Sequence, residues 1–191
     1  MALGAYQIGV VKALEELGYY QHVYAFSGTS IGAVNASLLA SRTIDEVKDI
    51  WVNFPRDDLN YIENLIKKIK IKDFSFVKNG VIDINMLETL LDQNLYLEKL
   101  KEKKVFITLS PAGLSSAGAL GVIKASFSHY LRGRRKVIYS PLQDQKPEDI
   151  KKQIIASCSI PFVFAPVEIN GRQTFDGGLY GNNPIKPLVE A

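Results

Sequence analysis

Cysteine, histidine and long apolar runs are all scarce in this sequence, and each scarcity removes a class of chemistry. The single cysteine, Cys158, has no partner for an internal disulfide. With only two histidines, His22 and His129, a cysteine-rich zinc site is excluded as well. No metal or other cofactor is expected, and the cysteine usage points to a reducing compartment, the cytoplasm. No stretch reaches the roughly 18 consecutive apolar residues that a membrane-crossing helix needs. The N-terminus lacks the cationic region and apolar core of a signal peptide. A transmembrane segment is therefore not expected, and any lipid would be met from the water side. Charge of one sign is in short supply too. A formal net charge of +3 is too weak to argue for nucleic acid, though it is compatible with peripheral contact at an anionic membrane surface.

What remains is an ordinary globular composition, 47% hydrophobic over 191 residues, read most simply as one domain spanning 1–191. Ile8, Val11 and Leu14 recur at helical spacing, so residues 5–17 read as a helix stopped by Gly18. Residues 22–27 read as a strand, and Ser30 to Ser41, rich in small and apolar residues, as a helix packed against a sheet. Helical stripes follow from Ile44 to Trp51, over 59–72, over 83–100 with a break near Asn94, and over 119–131. Val105–Leu109 and Lys136–Tyr139 read as strands, and Pro147–Ser157 as a helix. Val163–Ile169 and Arg172–Phe175 flank Asn170-Gly171, a dipeptide suited to a type I′ hairpin. Alternating strands and helices argue for a layered α/β fold.

Gly28-Thr29-Ser30-Ile31-Gly32 fits Gly-x-Ser-x-Gly. A nucleophile elbow needs a strand before the serine and a helix after it, and both are expected here. The two glycines would leave room for a turn too tight for a β-carbon. Ser30 then lies at a helix N-terminus, where the dipole favours negative charge, and the Ile31 N–H becomes a candidate oxyanion donor. The competing reading is that Ser30 is an ordinary helix N-cap, a position serine favours.

A serine nucleophile needs a base. His22, at the start of the strand leading to Ser30, falls at the wrong end of the sheet, since a strand rises about 3.3 Å per residue. His129 lies in the ambiguous segment 119–131 and is the weaker candidate. Asp176, in Thr174-Phe175-Asp176-Gly177-Gly178, stands where an apolar strand ends at an acid, and strand ends meet in the ligand crevice of an α/β sheet. Asp-Gly-Gly is also a routine turn, which is the alternative at this position.

Together the two motifs resemble the patatin-like phospholipase family. Its Gly-x-Ser-x-Gly matches Gly28 to Gly32, and its Asp-Gly-Gly/Ala matches Asp176 to Gly178. Ala156 to Phe162 with Phe164-Ala165-Pro166, the sequel Asn183-Pro184, and the N-terminal Gly4 to Val10 are also similar, whereas residues 55–150 match only loosely. The resemblance implies a three-layer α/β/α fold and a Ser30–Asp176 dyad without histidine. It implies metal-free hydrolysis of phospholipid or other lipid acyl esters, with Ile31 and Gly4 in the oxyanion hole. The family's Gly-Gly-Gly-x-Arg/Lys-Gly turn is represented only by its last glycine, Gly4, with Leu3 at the basic position. The sequence therefore reads as truncated at both ends. Rival readings are a soluble esterase or thioesterase using the same dyad, or a catalytically impaired fragment or lipid-binding module.

The lysines around 59–72 read as a solvated helix face, with an anionic membrane surface as the alternative. Arg132, Arg134 and Arg135 read as a solvated loop, with a headgroup phosphate as the alternative. Replacing His22 and His129 together with glutamine should lower kcat by less than about tenfold, because losing a general base costs roughly 10²–10⁴. A steady-state assay of the double variant checks this.

Overall fold

The computed structural model describes residues 2–54, 85–111, 137–160, 164 and 166–191. The stripes at 59–72 and 119–131, His129 and the three arginines fall outside the described residues. Helix α1 (Ala2–Glu16) ends where the sequence indicates. Gly18, at φ 77°, lets its own N–H reach Glu15 and the N–H of Tyr19 reach Leu14, the paired bonds of a Schellman stop. Strand β1 (Ala25–Gly28) leads through Thr29 and Ser30 into α2 (Ile31–Ser41). Helix α3 (Ile44–Asn53) starts from a capping box: the Thr43 hydroxyl accepts from the Glu46 N–H, and the Glu46 carboxylate accepts from the Thr43 N–H.

Helices α4 (Asn85–Asn94) and α5 (Leu97–Lys101) are separated by a break just after Asn94, where it was expected. Strand β2 (Lys104–Pro111) follows, then β3 (Ile138–Pro141) and α6 (Pro147–Ser157). The hairpin β4 (Val167–Ile169) and β5 (Arg172–Asp176) turns on Asn170 and Gly171, both at positive φ as a type I′ turn requires. A short helix α7 (Lys186–Val189), which has no clear signal in the sequence, ends the chain.

Several boundaries differ from expectation: α1 begins at Ala2 rather than Ala5, and β2 spans Lys104–Pro111 rather than Val105–Leu109. Residues 20–22 form a 3₁₀ turn, so β1 starts at Ala25 and His22 lies outside it. Strand β3 begins at Ile138 rather than Lys136, and β4 at Val167 rather than Val163. At β1, local β propensity extends past the residues that pair with a neighbouring strand.

The sheet is mixed, and β2 is its hub. β1 runs parallel to it, pairing Ala25 with Lys104 through Gly28 with Ile107. β3 runs antiparallel over Phe106–Leu109. β5 runs antiparallel over Leu109–Pro111, with Asp176 opposite Leu109. Phe106 and Ile107 pair with β1 and β3 together, and Leu109 pairs with β3 and β5 together. A strand has two edges, so β1 and β5 share one edge of β2. They approach each other along it and stop on either side of Thr108. Val105, Ile107 and Leu109 turn one face of β2 into the core shared with α2 and α6. Among the described residues no helix is long and apolar enough to cross a membrane.

The meeting point at Thr108 tolerates no side chain. A β-carbon on Gly177 would lie 2.3 Å from the Thr108 carbonyl oxygen, and one on Gly28 would lie 2.0 Å from that of Gly32. Among the described residues, a β-carbon on Gly32 would meet only Gln7, at 3.8 Å. The tight turn therefore requires glycine at its first flank and not at its second, contrary to expectation. Gly28→Ala and Gly177→Ala should each cost at least about 3 kcal/mol, the upper range for overpacking. Gly32→Ala, in a helix, should be neutral or gain up to about 1 kcal/mol. Urea unfolding of the three variants measures these differences.

Candidate active site

Ser30 occupies the turn between β1 and α2 at φ 57° and ψ −128°. A non-glycine residue held there carries strain of order 1–3 kcal/mol. By position it is the N-cap of α2, but its side chain makes no capping bond, and its backbone lies outside the β region of an ordinary cap. A strand, a serine at positive φ and a helix thus follow one another in a tight turn, and the Ser30 hydroxyl is not spent on capping α2. The Ile31 N–H, at the first position of α2, donates to no group among the described residues.

The strain is held by bonds to residues distant in the sequence. The Ser30 N–H donates to the Ser157 hydroxyl at 3.1 Å, and that hydroxyl donates to the Thr108 carbonyl at 2.8 Å. Ser157 is fully buried at the end of α6. The Thr29 hydroxyl donates to that of Thr108 at 2.8 Å. Two residues beyond Ser157, the Ser159 carbonyl accepts the N–H of Asp176 at 2.9 Å. The segment 157–159 thus ties together the elbow, the hub strand and the acid. Nothing in the local sequence of this segment assigns it that role, though two serines, Ser157 and Ser159, closing an amphipathic helix are the local signal that marks it.

Asp176 ends β5 and is buried, with 5% of its surface exposed. Its Oδ1 accepts the Gly178 N–H at 2.7 Å, capping the turn at Gly177–Leu179, so the turn reading of Asp-Gly-Gly also holds. Its Oδ2 is buried and has no hydrogen-bond partner of ordinary geometry among the described residues. Burial raises the carboxyl pKa above its usual value, and the neighbouring Ser30 hydroxyl and the Gly178 N–H partly offset the rise. The structure therefore makes Ser30 and Asp176, from opposite ends of the chain, neighbours.

Gly4 lies in the first turn of α1. A β-carbon there would come within 2.8 Å of the Ile31 side chain and 3.1 Å of the Trp51 ring, so the amino end of α1 abuts the elbow. Gly178 is exposed and contributes its N–H to the acid. His22 is exposed, beside Gln21 and beyond the far end of β1 from Ser30. Cys158 is buried, and burial followed by the Asp176 charge pushes its thiol pKa up, which suits a packing residue rather than a nucleophile.

Raising the Asp176 pKa has a consequence for stability. Between the ordinary carboxylate value of 3.8 and the raised folded value, the folded protein keeps a proton that the unfolded chain has lost. Stability from this group is therefore full at low pH and declines as pH rises through that window. Asp176→Asn should abolish the decline and be at least as stable as the parent at pH 7. Denaturant unfolding of both proteins from pH 4 to 8 is the measurement.

A family model described as patatin-like phospholipase matches residues 1–189. No curated protein sequence gives a significant match. Among solved structures, the crystal structure of VipD from Legionella pneumophila is similar, with a TM-score of 0.52 and 15% sequence identity. The match covers 95% of this chain and 45% of the VipD chain, so this chain spans less than half of that protein. At such low identity the likeness concerns the fold.

Proposed function

The chain belongs to the patatin-like phospholipase family, and from that premise we propose that it cleaves acyl esters of phospholipids or related lipids through a Ser30–Asp176 dyad. The observation that carries this reading is the strained Ser30, with no capping role, beside a buried carboxylate that has one oxygen unpartnered among the described residues. Ser30 Oγ attacks the ester carbonyl carbon, and its proton passes to Asp176. The carbonyl oxygen becomes an oxyanion, held by the Ile31 N–H at the positive end of α2 and by the amino end of α1 at Gly4. Collapse expels the alcohol, which takes the proton from Asp176. Water then attacks the acyl-serine, with Asp176 again accepting a proton, and Ser30 is regenerated.

Burial suits Asp176 to this work. A carboxylate in water is a weak base, and an environment that disfavours its charge makes it a better one. No histidine is needed in this scheme. A lipid ester is approached from the water side, at a peripheral contact with a membrane surface.

Labelling with a fluorophosphonate tests the nucleophile directly. We expect the wild type to be labelled and to hydrolyse lipid esters in vesicles, with short-chain soluble esters as the comparison. Ser30→Ala should lose both labelling and turnover while keeping its melting temperature. Asp176→Asn should lose at least about 10² in kcat, in the range for a general base. The acid limb of kcat/KM should fall above the ordinary carboxylate range, as the raised Asp176 pKa requires. Full turnover in clean Ser30→Ala protein sinks the assignment, and a preference for short soluble esters makes the protein an esterase.

A further inference from the structure

Asn35 is a polar residue in the apolar helix α2, with 3% of its surface exposed. Its carboxamide joins three helices. Nδ2 donates to the Gly4 carbonyl at 2.9 Å and to Gln7 Oε1 at 2.8 Å, both on α1. Oδ1 accepts the Trp51 indole N–H of α3 at 2.8 Å. A buried carboxamide that uses both donor hydrogens and its acceptor is rigid, and each partner fixes the orientation of the others. Apolar packing alone would bring α1 onto α2 without setting how far α1 slides along it. A bond from Asn35 to the Gly4 carbonyl sets that register.

The register matters because of what lies beside Gly4. Asn35 is one helical turn beyond Ile31, so the two share a face of α2. Gly4 packs against Ile31 and the Trp51 ring so closely that a β-carbon would have to displace one of them. The first-turn N–H groups of a helix have no partners within it. Through its bond to the Gly4 carbonyl, Asn35 thus seats the amino end of α1 against Ile31, the first residue of α2, whose N–H has no partner among the described residues.

We propose that Asn35, oriented by Trp51 and Gln7, is a positioning residue that sets the amino end of α1 against the Ile31 N–H and so completes the oxyanion hole. The proposal rests on the hydrolase reading above. It makes Asn35 a determinant of kcat without contact to substrate, because the charge it helps to hold develops only in the transition state.

The test compares Asn35→Ala with Val47→Ala, a fully buried residue of α3 outside the network. Melting temperature, kcat, KM and hydrogen exchange over residues 4–10 are measured for each, with wild type as reference. Asn35→Ala should lose about 10–10²-fold in kcat, toward the cost of an oxyanion donor, with KM within about threefold. Exchange over residues 4–10 should accelerate. Val47→Ala should lose comparable thermal stability while holding kcat and the exchange of residues 4–10.

Gly4→Ala is the second variant. It leaves Asn35 intact, favours helix by propensity and pushes α1 off Ile31, so it should reproduce the kcat loss with little change in KM. It keeps the proposal testable if Asn35→Ala does not fold. Unchanged exchange in Asn35→Ala, or kcat within threefold of wild type in whichever of the two variants folds, overturns the proposal. So does a kcat that tracks melting temperature equally in Asn35→Ala and Val47→Ala. Wild type that is neither labelled at Ser30 nor active overturns the hydrolase reading and this proposal with it. Active wild type with an unaffected Asn35→Ala removes this proposal alone.

Discussion

The structure depends on two strands that run toward each other along one edge of β2 and stop at Thr108. β1 arrives parallel and leaves through the elbow, while β5 arrives antiparallel and ends in Asp176. Their ends meet because β2 is long enough to pair with one strand over Lys104–Ile107 and with the other over Leu109–Pro111. Ser30 and Asp176, far apart in the chain, become neighbours through backbone pairing before any side chain is considered. The glycines at 28 and 177 are the steric condition for this meeting, since both lie closer to backbone carbonyls than a β-carbon allows.

A strained turn persists only where its surroundings over-determine it. Here Ser157 supplies the bond that the Ser30 N–H would otherwise lack, and passes the connection on to the Thr108 carbonyl. The same short segment holds the Asp176 backbone through Ser159. The strained turn at Ser30, the hub strand and the Asp176 backbone are therefore positioned from one point at the end of α6. The acid sits in a low-dielectric pocket that opposes its ionisation, and only part of that opposition is offset by hydrogen bonds. In the proposed reaction the same environment that costs stability as pH rises makes the carboxylate a better proton acceptor.

Elements with strong local signals were legible. α6 begins at a proline and spans the residues expected, and α2 differs by one residue at its start. The Asn170-Gly171 turn follows from the positive φ that type I′ geometry demands. The first strand was overextended to His22, because aromatic and β-branched residues raise β propensity whether or not a neighbour is there to pair with. Gly32 shows the converse error: the motif treats its two glycines alike, yet only Gly28 faces a backbone atom at prohibitive distance. Neither the Ser157 bridge nor the Asn35 network was legible, because a buried serine or asparagine reveals its partners only once distant helices are packed.

By itself the sequence determined the family, the α/β class, the position of the elbow between a strand and a helix, and the two residues on which a hydrolase reading rests. These depend on local chemistry: glycine where the chain turns, apolar spacing where helices bury a face, and a shortage of histidine that turns attention to a carboxylate. The tertiary structure alone decided that Ser30 and Asp176 are neighbours, that one carboxylate oxygen has no partner among the described residues, and that burial raises the carboxyl pKa. It also decided that α1 is seated on the elbow through Asn35. Contact, burial and pKa are properties of what lies nearby in space. In this protein the neighbours of Ser30 include Ser157, more than a hundred residues away in sequence, and Asp176 reaches the site along the pairing edge of one strand.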